Sequence, residues 1–229
     1  MKTAINKSIY VLVVTLLTLA FSFLVLKKPD FELVPGKTFT NTISAIIVPH
    51  HDLVAPERQR VLYEAAEKVN PKTIILVSTN HFNTGDFDII TTDKSWRLTN
   101  SYLDADASKI EKLGLPNIEA AFEREHGITN LLSPLKNAFP DVRVIPLIIK
   151  PNLSPDRITA LSDNLKKVCS NQCLMVGSVD FSHYQPGALA AIHDQFSIKA
   201  LTNLDEIAIW QTEVDSHETL ALALDWAKS

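Results

Sequence analysis

Four short apolar runs constrain this chain more than any other feature. They are ISAIIVP (43–49), KTIILVST (72–79), VRVIPLIIK (142–150) and CLMVGSVD (173–180). Each is continuous rather than alternating and rich in β-branched residues, as expected of strands buried on both faces. The first two flank PERQRVLYEAAEKVN (56–70), which opens on proline and sets apolar residues at 61, 62, 65, 66 and 69. That spacing lies on one helical face. Strand, helix and strand within about 40 residues make a βαβ unit and a parallel sheet.

The remaining segments extend the pattern. DFDIITT (86–92) reads as a further strand and SWRL (95–98) as a short loop or edge. Helical patterns cover 104–114, 119–139, 154–168, 188–203, 205–213 and 217–229. Pro134 is expected to kink or divide the second of these. Pro146 places its strand at a bulge or an edge. The expected fold is α/β: a single three-layer α/β/α domain over residues 42–229 with a mostly parallel central sheet. A chain of 229 residues suits one such domain.

The first residues stand apart. Residues 8–26 carry no charge and are flanked by Lys7 and by Lys27 and Lys28. About 20 apolar residues cross a bilayer core. Residues 1–28 therefore read as an uncleaved N-terminal membrane anchor, preferred over a cleaved signal because the small-residue cleavage pattern is poor. Residues 29–41 form a linker, and a short N-terminus held inside puts the domain outside the cytoplasm. Cys169 and Cys173, four apart in CSNQC, could close a disulfide in an oxidising compartment or remain free thiols.

Several chemistries are excluded. Net charge is −4 with no basic stripe, so nucleic-acid binding is not expected. The 6 glycines are never closer than ten apart, which removes the dinucleotide fingerprint and the phosphate-cradling P-loop. No G-x-S-x-G elbow is present. HETLA (217–221) lacks the second histidine of a zincin helix, because Ala221 stands there.

All 7 histidines follow residue 49. Three matter by position: His50, His81 and His183 each follow a buried strand. In parallel α/β sheets ligands bind beyond the carboxyl ends of the strands. Asp180 lies in the last of these segments. Imidazoles and a carboxylate converging on one edge suit a first-row transition metal, with open coordination positions for substrate or oxygen. His193, within a helical pattern, reads as structural, and His51 as a support behind a ligand or a mere neighbour of the site.

PHHDL, VSTNHF, EHGITNLLSPL, VRVIPLII and SVDFSHY resemble, in order, the motifs of the MEMO family. Its bacterial and archaeal members are also called AmmeMemoRadiSam system protein B. The likeness covers nearly all of residues 42–228. HHDL departs from the family's His-Ala-Gly-Tyr, STNH lacks its Gly-Pro, and Asn130 stands where a second acid is common. Asp215, in EVDSHETL, occupies the place of the family's cysteine. The resemblance implies a fold like that of class III extradiol dioxygenases, which bind Fe(II) through two histidines and a carboxylate.

On that resemblance His50 and His81 are the expected ligands, with Asp215 or Asp180 as the carboxylate. His183 and His126 support the ligands from behind or take acid–base roles, and Glu125 orients or lines the site. A neutral histidine near pH 7 can give or take a proton. The expected cofactor is a divalent transition metal, Fe(II) first, with Cu or Zn as alternatives. The expected function is a non-haem iron redox enzyme or dioxygenase-like oxygenase acting on a small molecule. The alternatives are a peptide- or metal-binding scaffold with a relict cleft and a metal-dependent hydrolase, since fold alone does not transfer activity.

Overall fold

The apolar runs become neighbouring strands of one five-stranded sheet. The structure, a computed structural model, describes residues 43–169, 172–182 and 184–228. The expected anchor and linker and the expected acid–base residue His183 lie outside the described residues. Among those described, no helix is long and apolar enough to cross a membrane.

The strands are β1 (Ala45–Val48), β2 (Thr73–Thr79), β3 (Ile89–Thr91), β4 (Trp96–Arg97), β5 (Tyr102–Leu103), β6 (Arg143–Ile149) and β7 (Cys173–Ser178). The main sheet has the order β1-β7-β2-β6-β3. Four strands run parallel, and β3 pairs antiparallel with β6. SWRL supplies β4, which pairs with β5 in a separate small sheet.

Alternation along β2 defines three layers. Ile74 and Leu76 enter a cluster with Leu62 of α1 (Ala55–Ala66) and Leu131 and Leu135 of α4 (His126–Ala138). Ile75 and Val77 enter the opposite cluster. There they meet Ile110 of α2 (Ala107–Leu113), Leu161 and Leu165 of α5 (Pro155–Cys169), and Leu222 and Trp226 of α7 (His217–Ala227). Each fully buried leucine or isoleucine stabilises by roughly 1.5–3 kcal/mol, so both helical layers hold the sheet without help from the site.

Two helical expectations change. The pattern over 119–139 divides, but not at Pro134. It splits into α3 (Glu119–Phe122) and α4, with Pro134 inside a continuous α4. The break lies at Glu125, which is extended and caps α4 by accepting from the Gly127 N–H. Residues 205–213 form only a single 3-10 turn at Ala208–Gln211. Asp205 accepts from the N–H groups of Ile207 and Ala208, and such local bonds compete with a regular helix. The remaining helix, α6 (Gly187–Thr202), follows the expected 188–203 closely.

Pro146 lies inside the sheet yet breaks no ladder. Val144 points its N–H away from β2, at the Asp104 carbonyl. Strand alternation puts the missing N–H of Pro146 on that same side, past the end of β3. Cys169 and Cys173 form a disulfide, with their Cα atoms 5.6 Å apart. It joins the end of α5 to the start of β7, at the edge of the sheet opposite the site.

Candidate metal centre

Register places the site. Val48 and Ser78 both align with Ser178 of β7, which lies between β1 and β2. Past this row the three strands stop together and deliver His50, Asp180 and His81 to one edge. Asp215 arrives by another route. Phe181 and Val214 form an antiparallel bridge. The Asp215 N–H donates to the Asp180 carbonyl at 3.2 Å. The Asp180 N–H donates to Asp215 Oδ1 at 3.1 Å. The capped start of α4 brings in Glu125 and His126.

Three imidazoles cluster there. Ring centroids lie 4.9 Å apart for His50 and His81, 5.1 Å for His50 and His126, and 4.0 Å for His81 and His126. Asp215 Oδ2 lies 3.2 Å from His50 Nε2 and 3.5 Å from His81 Nε2. Asp180 Oδ2 is 3.4 Å from His50 Nε2. The other oxygen of Asp180 accepts from the N–H groups of His50 (2.8 Å) and His51 (3.3 Å). Asp215 therefore faces both histidines, while Asp180 also holds the loop after β1.

The Nδ1 atoms are occupied on the far side. His81 Nδ1 lies 2.5 Å from Glu125 Oε1, and its backbone N–H donates to Glu125 Oε2 at 3.0 Å. His50 Nδ1 lies 3.1 Å from Ser178 Oγ, which donates to the Gly127 carbonyl at 2.6 Å. Both rings thus turn Nε2 toward the centre.

Burial sets the charges. It holds His50 below its ordinary value of 6.5, although Asp180 and Asp215 pull upward. Burial also opposes charge on His81, but Asp215 and Glu125 outweigh it and raise that imidazole to about 9. Glu125 would be raised by burial, yet its bonds to His81 and to the N–H of Gly127 hold it below the usual carboxylate range. His126 is lowered, first by burial and then by its neighbour His81.

The donor set fits a cation. Among the described residues, His50 Nε2, His81 Nε2 and Asp215 Oδ2 are buried and meet only one another and Asp180 Oδ2, at ion-pair rather than hydrogen-bond geometry. Without a metal, the proton that raises His81 to about 9 supplies positive charge beside Asp215; a cation in the same place would supply it for both imidazoles. Among the described residues, two groups could hold a metal ion: His50, His81 and His126, or His50, Asp180 and Asp215, each with ligand atoms within 4.8 Å of one another.

Some supports were silent in the sequence. Arg58, buried in α1, donates to the carbonyls of Pro49 and His51. Asn130 donates to the His50 carbonyl at 3.1 Å, which gives a role to the amide standing where an acid is common. A Cβ on Gly127 would meet Ser78 Oγ at 1.9 Å and His81 Cε1 at 3.3 Å, so only glycine fits there. Exposed His51 caps the turn after β1 by accepting from the Leu53 N–H. His217 lies outside the cluster and stacks on Trp210.

Comparison with known proteins agrees with this arrangement of motifs. The profile of the family described as Memo-like protein matches residues 26–221. The chain belongs to the Memo-like family. A MEMO1 family protein of Caldivirga maquilingensis is 25% identical over 186 residues, covering 77% of this chain and 65% of the relative. A MEMO1 family protein of Aquifex aeolicus is 30% identical over 148 residues, covering 60% of this chain and 39% of the relative. The chain thus matches just under two thirds, or less, of the length of these relatives. The crystal structure of an uncharacterized Escherichia coli K12 protein superposes with a TM-score of 0.51 at 14% identity. It covers 80% of this chain and 88% of its own, and shows a shared fold.

Proposed function

We propose that this Memo-like protein is a metal-dependent redox enzyme that holds one divalent transition metal, Fe(II) first, through His50, His81 and Asp215. The observation carrying this reading is that one buried carboxylate oxygen, Asp215 Oδ2, lies 3.2 Å from His50 Nε2 and 3.5 Å from His81 Nε2. Two histidines and one carboxylate on one side leave open positions for a small-molecule substrate and oxygen. A ferrous ion there would supply Lewis acidity and one-electron redox capacity. The protein residues do the rest. Glu125 fixes the His81 ring, and Asp180 fixes the loop carrying His50. His126, with a side chain 42% exposed, stands at the solvent side, where a neutral imidazole gives or takes a proton. His183 is assigned a second acid–base role by its place in SVDFSHY.

The test is anaerobic reconstitution with Fe(II), metal analysis, and oxygen uptake across a panel of catechols and small phenols. One equivalent of iron, lost in His50→Ala, and histidine-dependent turnover are expected. Stoichiometric metal with no turnover on any substrate would leave the protein a metal- or peptide-binding scaffold. No metal in either protein would overturn the reading.

The grouping of His50, His81 and His126 favours one second reading. Three imidazoles and an open position suit Zn(II) and metal-activated water, the chemistry of a hydrolase. Zinc rather than iron in the protein as purified, with esterase activity that His126→Ala abolishes, would select it.

We also propose that residues 8–26 tether the domain to a membrane on its extracytoplasmic side. The uncharged run and the Cys169–Cys173 disulfide support this. Protease added to intact cells should cleave the domain, and detergent should be needed to release the full chain.

A further inference from the structure

We infer that Ser178 is a positioning residue: it carries the constraint of the Gly127 carbonyl to His50 and keeps the Nε2 lone pair of that ring facing the metal centre. This deepens the proposed metal site and rests on that reading. The hydroxyl has one proton. It donates to the Gly127 carbonyl at 2.6 Å, well inside ordinary O–H···O range. Only lone pairs of the oxygen remain for His50 Nδ1 at 3.1 Å. A lone pair there accepts a proton, so Ser178 holds the hydrogen on Nδ1 against the pull of Asp215 and Asp180, 3.2 and 3.4 Å from Nε2, and leaves Nε2 the free pair. Ser178 and His50 are 0% and 1% exposed, so bulk solvent does not reach this bond.

A single turn of chain then governs all three imidazoles. Glu125 holds His81 Nδ1, His126 contributes its own ring, and Gly127 reaches His50 through Ser178. Ser178 serves because it ends β7, level with Val48 of β1 and Ser78 of β2. Gly127 can come so close because it has no Cβ to strike Ser78.

The test uses the full chain labelled with ¹⁵N-histidine, stripped of metal at pH 7.5. Long-range ¹H–¹⁵N spectra of wild type should show the His50 resonance in the Nδ1–H form. In Ser178→Ala that resonance should move toward the Nε2–H form, and in Ser178→Thr, which keeps the hydroxyl, it should return. Co(II) titration should show affinity roughly 10- to 100-fold weaker in the alanine variant, the usual effect of losing such a ligand-orienting partner. If the alanine variant does not fold, Ser178→Cys, similar in shape and poor in hydrogen bonding, gives the same comparison. An unchanged tautomer in the alanine or cysteine variant would overturn the inference. Failure of wild type to bind Co(II) would overturn the metal site, while the metal-free tautomer still decides the role of Ser178.

Discussion

The two central histidines differ in how they are held, and that difference makes their neighbours separable by mutation. Asp215 Oδ2 faces both Nε2 atoms, whereas Asp180 Oδ1 accepts from two backbone N–H groups. Asp215→Asn is expected to weaken metal binding far more than Asp180→Asn does, and to cost the metal-free protein the share of stability that Asp215 gives through the His81 proton. Asp180→Asn should lower stability by about 1–3 kcal/mol, because the carboxylate accepts charge-assisted bonds. Calorimetric metal titration beside urea denaturation checks both, and equal effects on affinity would sink the assignment. His81 gives a pH signature. Its folded value of about 9 exceeds the ordinary 6.5, so the folded state binds the proton more tightly. Its contribution to stability of the metal-free protein is complete below pH 6.5 and lost as pH rises through 9. The stability gap between wild type and His81→Gln should shrink across that window, and a gap independent of pH would refute it. His50 and His81 were legible because each follows a buried strand. The route by which Asp215 reaches the same edge was not, because it arrives by a loop bridge with no periodic signal. The roles of Ser178 and Asn130 were silent because they are bonds to backbone or ring atoms distant in sequence, and that of Arg58 because it is a bond to backbone carbonyls.

At the scale of elements, α4 is the organising piece, and its start is the least tolerant point. Gly127→Ala would drive a methyl group against Ser78 and His81. Overpacking of this kind costs about 1–3 kcal/mol. Because both rings hang from this turn, metal affinity should fall with it; thermal melts and Co(II) titration measure the two, and unchanged values would show that the turn yields freely. The strands were readable because continuous β-branched runs have few other uses. The division before α4 was not, because proline is the stronger textual signal and Glu125 acts by capping. The disulfide is the opposite case to α4. It joins α5 to β7 at the far edge of the sheet, and closing so short a loop stabilises by about 2 kcal/mol. Replacing both cysteines by serine should lower stability by that order and leave metal uptake unchanged. Loss of metal in that variant would mean that the two edges are coupled.

The whole molecule shows why metal and fold should be separable. Ile74, Leu76 and their partners pack one face of the sheet, and Ile75, Val77 and theirs pack the other. Neither cluster includes a residue of the candidate centre. A small zinc domain without such a core unfolds when its metal is removed; this chain has two apolar layers that stand without it. Metal should therefore act as an ordinary ligand of the native state, adding about 4 kcal/mol when free metal is 1,000 times the dissociation constant. Chelation should lower the melting temperature while the far-ultraviolet circular dichroism at 20 °C stays that of an α/β protein. Readdition should restore the melting temperature in wild type and not in the double variant His50→Ala, His81→Ala. Loss of secondary structure on chelation would show that the centre belongs to the folding core. It would also mean that the carboxylates and imidazoles at the strand ends repel strongly enough, once uncompensated, to open the sheet edge that carries them.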